Sequence, residues 1–356
     1  MRDRDVESSV VFALSAKDHL VDDLAAASVT TSCLGVRRLT DPRWMPRLFR
    51  AVRAIKPDIL HVHSPALAPV VRLAARMGIF GWPRPGVVST EHNAWPTYHP
   101  VTRWANAATA ALDDATLAVS DEVRHSVRPA WLRRRVQTVR HGIGTEAVRA
   151  LAPQREPIRA ALGIRPDEVV VITIANFREQ KNYPCLLQAA ARVTAVSPLT
   201  RFVAIGQGPL AADIERLHRE LHLGERMLLL GYRHDAAAVL AAGDIFTLAS
   251  DYEGLPVALM EALAHGLPVV ATRVGGVAET IDDSCGRLVE RGDPEALAAA
   301  LLVLVQDPDL RRALGVGATD IGRSFDSRRA ALTIESVYRD VVADRRSPRV
   351  ARPPSV

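Results

Sequence analysis

Short runs of β-branched and apolar residues alternate along the chain with longer stretches whose apolar positions recur at helical spacing. Val10–Leu14, Ile59–Val62, Val87–Thr90, Thr116–Val119 and Val136–Val139 read as one group of strands, and Val169–Ile174, Phe202–Ile205, Met227–Leu230, Ile245–Leu248 and Val269–Ala271 as a second. Repeated strand–helix–strand order predicts parallel sheets covered by helices. Ten strands are many for one doubly wound sheet, and Thr145–Pro166, with three prolines and no strand pattern, falls between the groups. The pattern therefore predicts two α/β domains, 1–148 and 149–326. In the segment 327–344, Ala331, Ile334, Val337 and Tyr338 share one helical face, so a last helix is expected there, packing back toward the first domain. Residues 345–356 are basic and proline-rich, the composition of a disordered tail.

Composition narrows this picture only a little. The chain has 356 residues, 48% hydrophobic, enough for two cores. Its net charge of +5 favours anions such as diphosphates, acidic lipid headgroups or nucleic acid, without choosing among them. Cys33, Cys185 and Cys285 are far apart and form no metal-binding or disulfide pattern, which fits a reducing, cytoplasmic setting. The charged start Met1–Glu7 and the absence of a run of ~18 apolar residues predict neither a signal peptide nor a membrane span.

The densest chemistry lies in Asp251–Ala271, DYEGLPVALMEALAHGLPVVA. The strand Ile245–Leu248 feeds a loop that enters a helix expected from about Val257 to His265, ended by Gly266. Pro256 suits a first helical turn, and Gly254 lets the backbone approach a ligand. Free N–H groups at Leu255, Val257 and Ala258, with the positive end of the helix dipole, make an anion site at the C-terminal edge of a parallel sheet. Glu253 and Glu261 can both point toward it. Because a carboxylate accepts paired hydrogen bonds from vicinal hydroxyls, a polyol attached to a phosphate is the natural guest. A capped amphipathic helix with two exposed glutamates would also give acids here, but glycines, prolines and both acids must then coincide. Upstream, Arg178 and Lys181 follow the strand Val169–Ile174 and emerge at the same sheet edge, placed either to clamp a diphosphate or as solvated loop charges.

The string E-G-x-P-x-x-x-x-E-A-x-A-x-G-x-P-V-V-A, from Glu253 to Ala271, resembles the donor signature of retaining GT-B glycosyltransferases of family four, the group-1 transferases that include glycogen synthase and mannosyltransferases. The resemblance extends over nearly the whole chain. It implies an α/β GT-B fold, two Rossmann-like domains facing across a cleft, and transfer of a hexose from a UDP- or GDP-type donor to an unidentified acceptor, with retention of configuration. By the same resemblance Glu253 faces the hexose and Glu261 the ribose, while Gly254, Leu255, Pro256 and Val257 line the donor. Lys181 matches the lysine of a G-R-L-x-x-x-K segment. Asn176 stands where the arginine usually is, so Arg178 is expected to reach instead. Gly231-Tyr232-Arg233 matches the segment that holds the base, and His92, in Val87–Asn93, the residue contacting the donor sugar near the reacting carbon. His61 and His63 read as packing or hydrogen-bonding groups. Ala118–Val123 and Arg140–Ile143 match further family segments.

Family members begin with a strand, a glycine-rich turn and a helix. Nothing here matches that unit, so a βα element of roughly thirty to forty residues is expected to be missing before Val10, either upstream in a longer chain, the favoured explanation, or lost with activity. Many sugar transferases hold a metal through D-x-D. The only such strings, Asp3-Arg-Asp5 and Asp307-Pro-Asp309, sit at the chain start and a helix boundary, so no metal and no cofactor is expected. Lys181, Arg178 and the helix N-terminus would then stabilise the leaving diphosphate. Expected partners are the nucleotide sugar and an acceptor, with peripheral association at the inner face of the membrane and no nucleic acid.

Three other functions share some of these features. One is a degenerate nucleotide-sugar-binding or partner protein of the same fold, and another an epimerase of nucleotide sugars. Gly206-Gln-Gly208-Pro-Leu-Ala211 also matches the G-x-G-x-x-A dinucleotide fingerprint. It lies mid-domain, with no acidic residue closing the following strand, and reads as a tight turn ahead of Pro209 rather than an NAD site.

Overall fold

The computed structural model describes residues 6–16, 18, 20–81 and 83–346. Among them are twelve strands, each pairing in parallel with its neighbours. They are β1 (Ser9–Leu14), β2 (Thr30–Val36), β3 (Ile59–Val62), β4 (Gly86–Glu91), β5 (Ala115–Ala118), β6 (Val136–Thr138), β7 (Val169–Ile174), β8 (Thr200–Ile205), β9 (Met227–Leu229), β10 (Ile245–Leu248), β11 (Val269–Thr272) and β12 (Gly286–Val289). The hydrophobic runs mark ten of these. They miss β2 and β12, whose sequences TTSCLGV and GRLV are interrupted by polar residues and glycine and are only partly buried.

The first half carries β1–β2 as a two-stranded sheet and β3-β4-β5-β6 as a four-stranded one. One core serves both: Ala13, Leu34 and Val36 from the pair cluster with Val87 of β4 and with Trp44, Leu48 and Val52, the buried stripe of helix Trp44–Ile55. The second half is a single sheet in the order β12-β11-β10-β7-β8-β9. Its order reverses between β7 and β10, and a crevice opens at such a switch point outside the carboxyl ends of the strands.

The chain passes between the halves twice, side by side. Ile143 N donates to Phe325 O at 2.8 Å and Ser327 N to Ile143 O at 2.9 Å. From there the final helix, Ser327–Arg346, lays Val337 and Val341 against Val88, Leu117 and Val139 of the first half. It runs two residues past the expected end, taking in Arg345 and Arg346. The remainder of the expected tail, and Asp3 and Asp5, lie outside the described residues. Asp307 proves to be a helix cap, its Oδ1 accepting from Leu310 N at 2.9 Å.

Candidate active site at the facing strand ends

The loops after β7 and β10 meet at the switch point and are stitched together. Asp251 N donates to Gln180 O, Gln180 Nε2 to Tyr252 O and Asn182 Nδ2 to Asp251 Oδ1, all at 2.9 Å. This stitching sets Lys181 Nζ 2.5 Å from Glu253 Oε1. Ser250 Oγ donates to the same oxygen at 2.7 Å, and Gln180 Nε2 reaches Oε2 at 3.2 Å. Glu253 is only 5% exposed, so its orientation is fixed by donors rather than by water. Glu261 sits on the helix Val257–Ala264 that the loop enters. Its carboxylate has no hydrogen-bond partner among the described residues, and burial pushes it up to about 7.

Facing these loops are the ends of β3, β4 and β6, which carry four histidines in a row. Ring centroids are 4.2 Å apart for His61 and His63, 5.3 Å for His63 and His92, and 6.1 Å for His92 and His141. His63 Nδ1 lies 3.0 Å from His92 Nε2, so one ring donates to the other. His61 is tied to Tyr338 Oη at 2.5 Å and to Thr90 Oγ1 at 2.6 Å. Burial, with His63 and His141 alongside, holds His92 down at about 4, and burial holds His61 down at about 3. All of this keeps the row neutral near pH 7. His141 hydrogen-bonds the backbone of Leu255, while its Nδ1 is buried with no partner.

The halves touch at Gly254. A Cβ there would lie 1.8 Å from the His92 carbonyl oxygen. The glycine therefore admits the opposite domain. The Gly206–Ala211 turn is explained the same way: a Cβ on Gly206 would lie 1.9 Å from Ala175 O, and Leu210 N donates to Phe177 O. A second contact is made by Glu279, on helix Gly275–Thr280. It accepts from Asp121 N at 3.1 Å and Glu122 N at 2.7 Å, across at the start of helix Asp121–Ser126, with Arg140 Nη2 at 3.4 Å.

Of the residues singled out from sequence, Lys181 and Glu253 are in contact, and His92 meets the loop of Gly254 and Leu255 through its backbone. Arg178 is exposed and makes no side-chain hydrogen bond or ion pair among the described residues. Tyr232 is 46% exposed, and Arg233 is engaged locally with Asp235 at 2.6 Å. Sequence reasoning passed over Gln180, Ser250, His141 and Glu279. Ser250 and Gln180 flank the singled-out residues, whereas the partners of His141 and Glu279 lie across the interdomain contact and leave no local signal. No group of three His, Cys, Asp or Glu suited to a metal occurs among the described residues.

Two Rossmann-like parallel-sheet domains facing through the carboxyl ends of their strands define a GT-B fold. The model for "Glycosyltransferase Family 4" matches residues 1–147 and that for "Glycosyl transferases group 1" matches 154–320. The chain belongs to this family: it is a retaining glycosyltransferase that moves a hexosyl group from a nucleotide sugar. It is 29% identical to N-acetyl-alpha-D-glucosaminyl L-malate synthase of Bacillus anthracis, over 81% of this chain and 76% of that one. It is 25% identical to the UDP-Gal:alpha-D-GlcNAc-diphosphoundecaprenol alpha-1,3-galactosyltransferase of Escherichia coli, over 92% and 87%. Among solved structures, Anabaena HepE in complex with UDP and glucose superposes with a TM-score of 0.81 at 18% identity, over 94% of this chain and all of that one.

Proposed function

We propose that the crevice between the loops 176–182 and 250–261 holds a UDP-hexose, with Lys181 on the diphosphate, Glu253 on the hexose and Glu261 on the ribose. The observation that carries this is the Lys181–Glu253 pair: a cation and an acid in contact at a switch point suit one guest that offers a phosphate to the first and hydroxyls to the second. The N–H groups of Val257 and Ala258 at the helix start add to the diphosphate site, Gly231–Arg233 flanks the base, and Arg178 is placed to swing in from solvent. The names of relatives, one using UDP-Gal, support the choice of uridine.

In the proposed reaction the acceptor hydroxyl attacks the anomeric carbon from the face the diphosphate leaves. The carbon–oxygen bond to the phosphate breaks, the new glycosidic bond forms on the same side, and the hydroxyl proton passes to the departing phosphate oxygen. Lys181 and the helix N-terminus counter the charge that grows on the leaving group. His92, neutral near pH 7, is placed by His63 to hydrogen-bond the hexose. Glu253 orients the sugar and forms no bond to it.

The domain limits are placed at 1–148 and 149–326, close to the paired crossings at Ile143 and Asp326. The shared core of two sheets with separate ladders supports one further parallel strand between β1 and β3, contributed by a βα unit outside the described residues. The acceptor is an alcohol, free or carried on a lipid, and the enzyme works at the cytoplasmic face of a membrane as a peripheral protein; no helix among the described residues is long and apolar enough to cross one.

Glu253→Gln tests the assignment. Transfer from UDP-hexose should fall below detection while calorimetry still registers UDP. An unchanged rate removes Glu253 from the reaction, and UDP-hexose binding without turnover on any acceptor in the wild type would favour the binding-protein alternative.

A further inference from the structure

The helix Pro100–Thr109 is amphipathic in the wrong sense for a globular surface. Its inward residues Asn106 and Thr109 are buried and polar, and its outward residues Val101, Trp104 and Ala108 are apolar, with Val101 70% and Trp104 73% exposed. The inner face has a clear cause. Arg72, fully buried, hydrogen-bonds Asn106 Oδ1 at 2.7 Å and Thr109 Oγ1 at 3.3 Å, and takes both Asp113 carboxylate oxygens at 2.8 Å. Nothing in the fold accounts for the outer face.

The apolar exposure continues on two neighbours. Helix Ala68–Arg76 packs beside this helix and exposes Leu73 at 46% and, just past its end, Met77 at 73%. The 3-10 turn Ala130–Arg135 exposes Trp131 at 56%. Both neighbours are tied to the residues that follow Thr109: Arg76 Nη2 donates to Leu112 O at 2.6 Å, and Arg135 Nη1 to Ala111 O at 3.2 Å. Five large apolar side chains are thus exposed on three segments tied to one stretch of chain, where scattered single ones would be unremarkable.

Charge selects the occupant. Between Asp58 and Asp113 the sequence holds a single acid, Glu91, which is 3% exposed. From Val123 to Gln137 there is no acid, but there are five arginines: Arg124, Arg128, Arg133, Arg134 and Arg135. Tryptophans set among arginines, in two stretches whose only acid is buried, fit the boundary region of a bilayer with anionic headgroups, where an indole is half in hydrocarbon and a guanidinium meets phosphate. We propose that the outward face of helix Pro100–Thr109, with Leu73, Met77 and the Trp131 arginine segment, seats the first domain on an anionic lipid surface.

This names the surface for the peripheral association proposed above and rests on that reading, though not on the donor assignments. It also sets a geometry. The helix begins eight residues after His92, and the intervening segment is held by Tyr98 Oη donating to Glu91 Oε2 at 2.8 Å and by Trp95, 1% exposed. A bilayer on this face would thus be joined to the His92 strand end through an anchored segment, residues 93–99, on the side from which a lipid-borne alcohol would come.

The test is co-sedimentation with vesicles of phosphatidylcholine, pure or doped with phosphatidylglycerol, at low and high salt. The wild type should pellet with the doped vesicles at low salt only, and V101S/W104S should lower partitioning about tenfold. R128E/R134E should abolish the dependence on phosphatidylglycerol. These positions are exposed, so melting temperature and UDP-hexose binding in solution should stay unchanged, which separates this surface from the donor site. Vesicle binding unaffected by V101S/W104S overturns the surface but keeps peripheral association; absence of vesicle binding overturns both. Concentration-dependent dimerisation that W104S removes, without vesicle binding, assigns the face to a second copy instead.

Discussion

Glu261 gives the sharpest numerical consequence. Its carboxyl is lifted from 4.5 to about 7 by burial without a hydrogen-bond donor. In the unfolded chain the group ionises near 4.5, so between that pH and about 7 the native state binds more protons than the unfolded one, and stability must fall as pH rises through the window. At roughly 1.4 kcal/mol per tenfold change in proton affinity, the lost stability above pH 7 is at most about 3–4 kcal/mol. The residue is partly open to solvent, which brings the expected figure nearer to about 2 kcal/mol. Glu261→Gln keeps the shape and removes the ionisation. Urea unfolding should therefore show the variant more stable above pH 7 by about 2 kcal/mol, a midpoint gain of about 1 M for a typical slope, and no different below pH 4. Equal midpoints at high pH, or a wild-type midpoint that does not fall through the window, would refute the argument.

The same residue makes the opposite prediction for binding. Ribose hydroxyls donating to Glu261 would favour its charged form, so donor binding should expel a proton and weaken as pH drops below about 7. Glu261→Gln should then bind UDP-hexose less tightly while resisting urea better. Few structural residues would move the two readouts in opposite directions.

Two further substitutions address domain contact. Gly254→Ala places a Cβ 1.8 Å from the His92 carbonyl oxygen and must push the domains apart by an ångström or more; kcat should fall about a hundredfold with the urea midpoint little changed, and an unaltered kcat would show that contact to be dispensable. Glu279→Ala removes the acceptor for two helix-start N–H groups and Arg140. It should cost the closed arrangement about 2 kcal/mol, a roughly thirtyfold shift toward open forms, visible as a larger radius of gyration by small-angle scattering; an identical scattering curve would dismiss the latch.

Much of this was readable from sequence because local chemistry and tertiary placement coincide. β7 and β10 coincide with their apolar runs, since strands inside a sheet covered on both faces need such runs. Lys181 and Glu253 could be placed at one sheet edge in advance because each follows a strand of a parallel sheet; their direct contact comes from the sheet order, which brings those two ends together. The contact of Gly254 with His92 was hidden for the complementary reason: no spacing rule connects the two residues. His141 and Glu279 were legible only as residues, since what they bond lies on the opposite domain. β2 and β12 escaped because glycine and polar residues interrupt them and leave little of the apolar signal.

On the proposed reading, the resting Lys181–Glu253 pair also decides which diphosphates the pocket accepts. The two side chains are 15% and 5% exposed, so each depends on the other for its charge partner. A bare diphosphate that drew Lys181 away would leave Glu253 with only Ser250 and Gln180, and breaking such a buried pair from one side costs several kcal/mol. An intact donor brings hydroxyls to the carboxylate as its phosphate takes the lysine, so neither charge is left uncompensated. After transfer the hexose departs, Glu253 again competes for Lys181, and the diphosphate loses its cation. One ion pair thus favours the sugar-bearing substrate on entry and weakens the hold on product on exit, without any residue having to form a bond to the sugar.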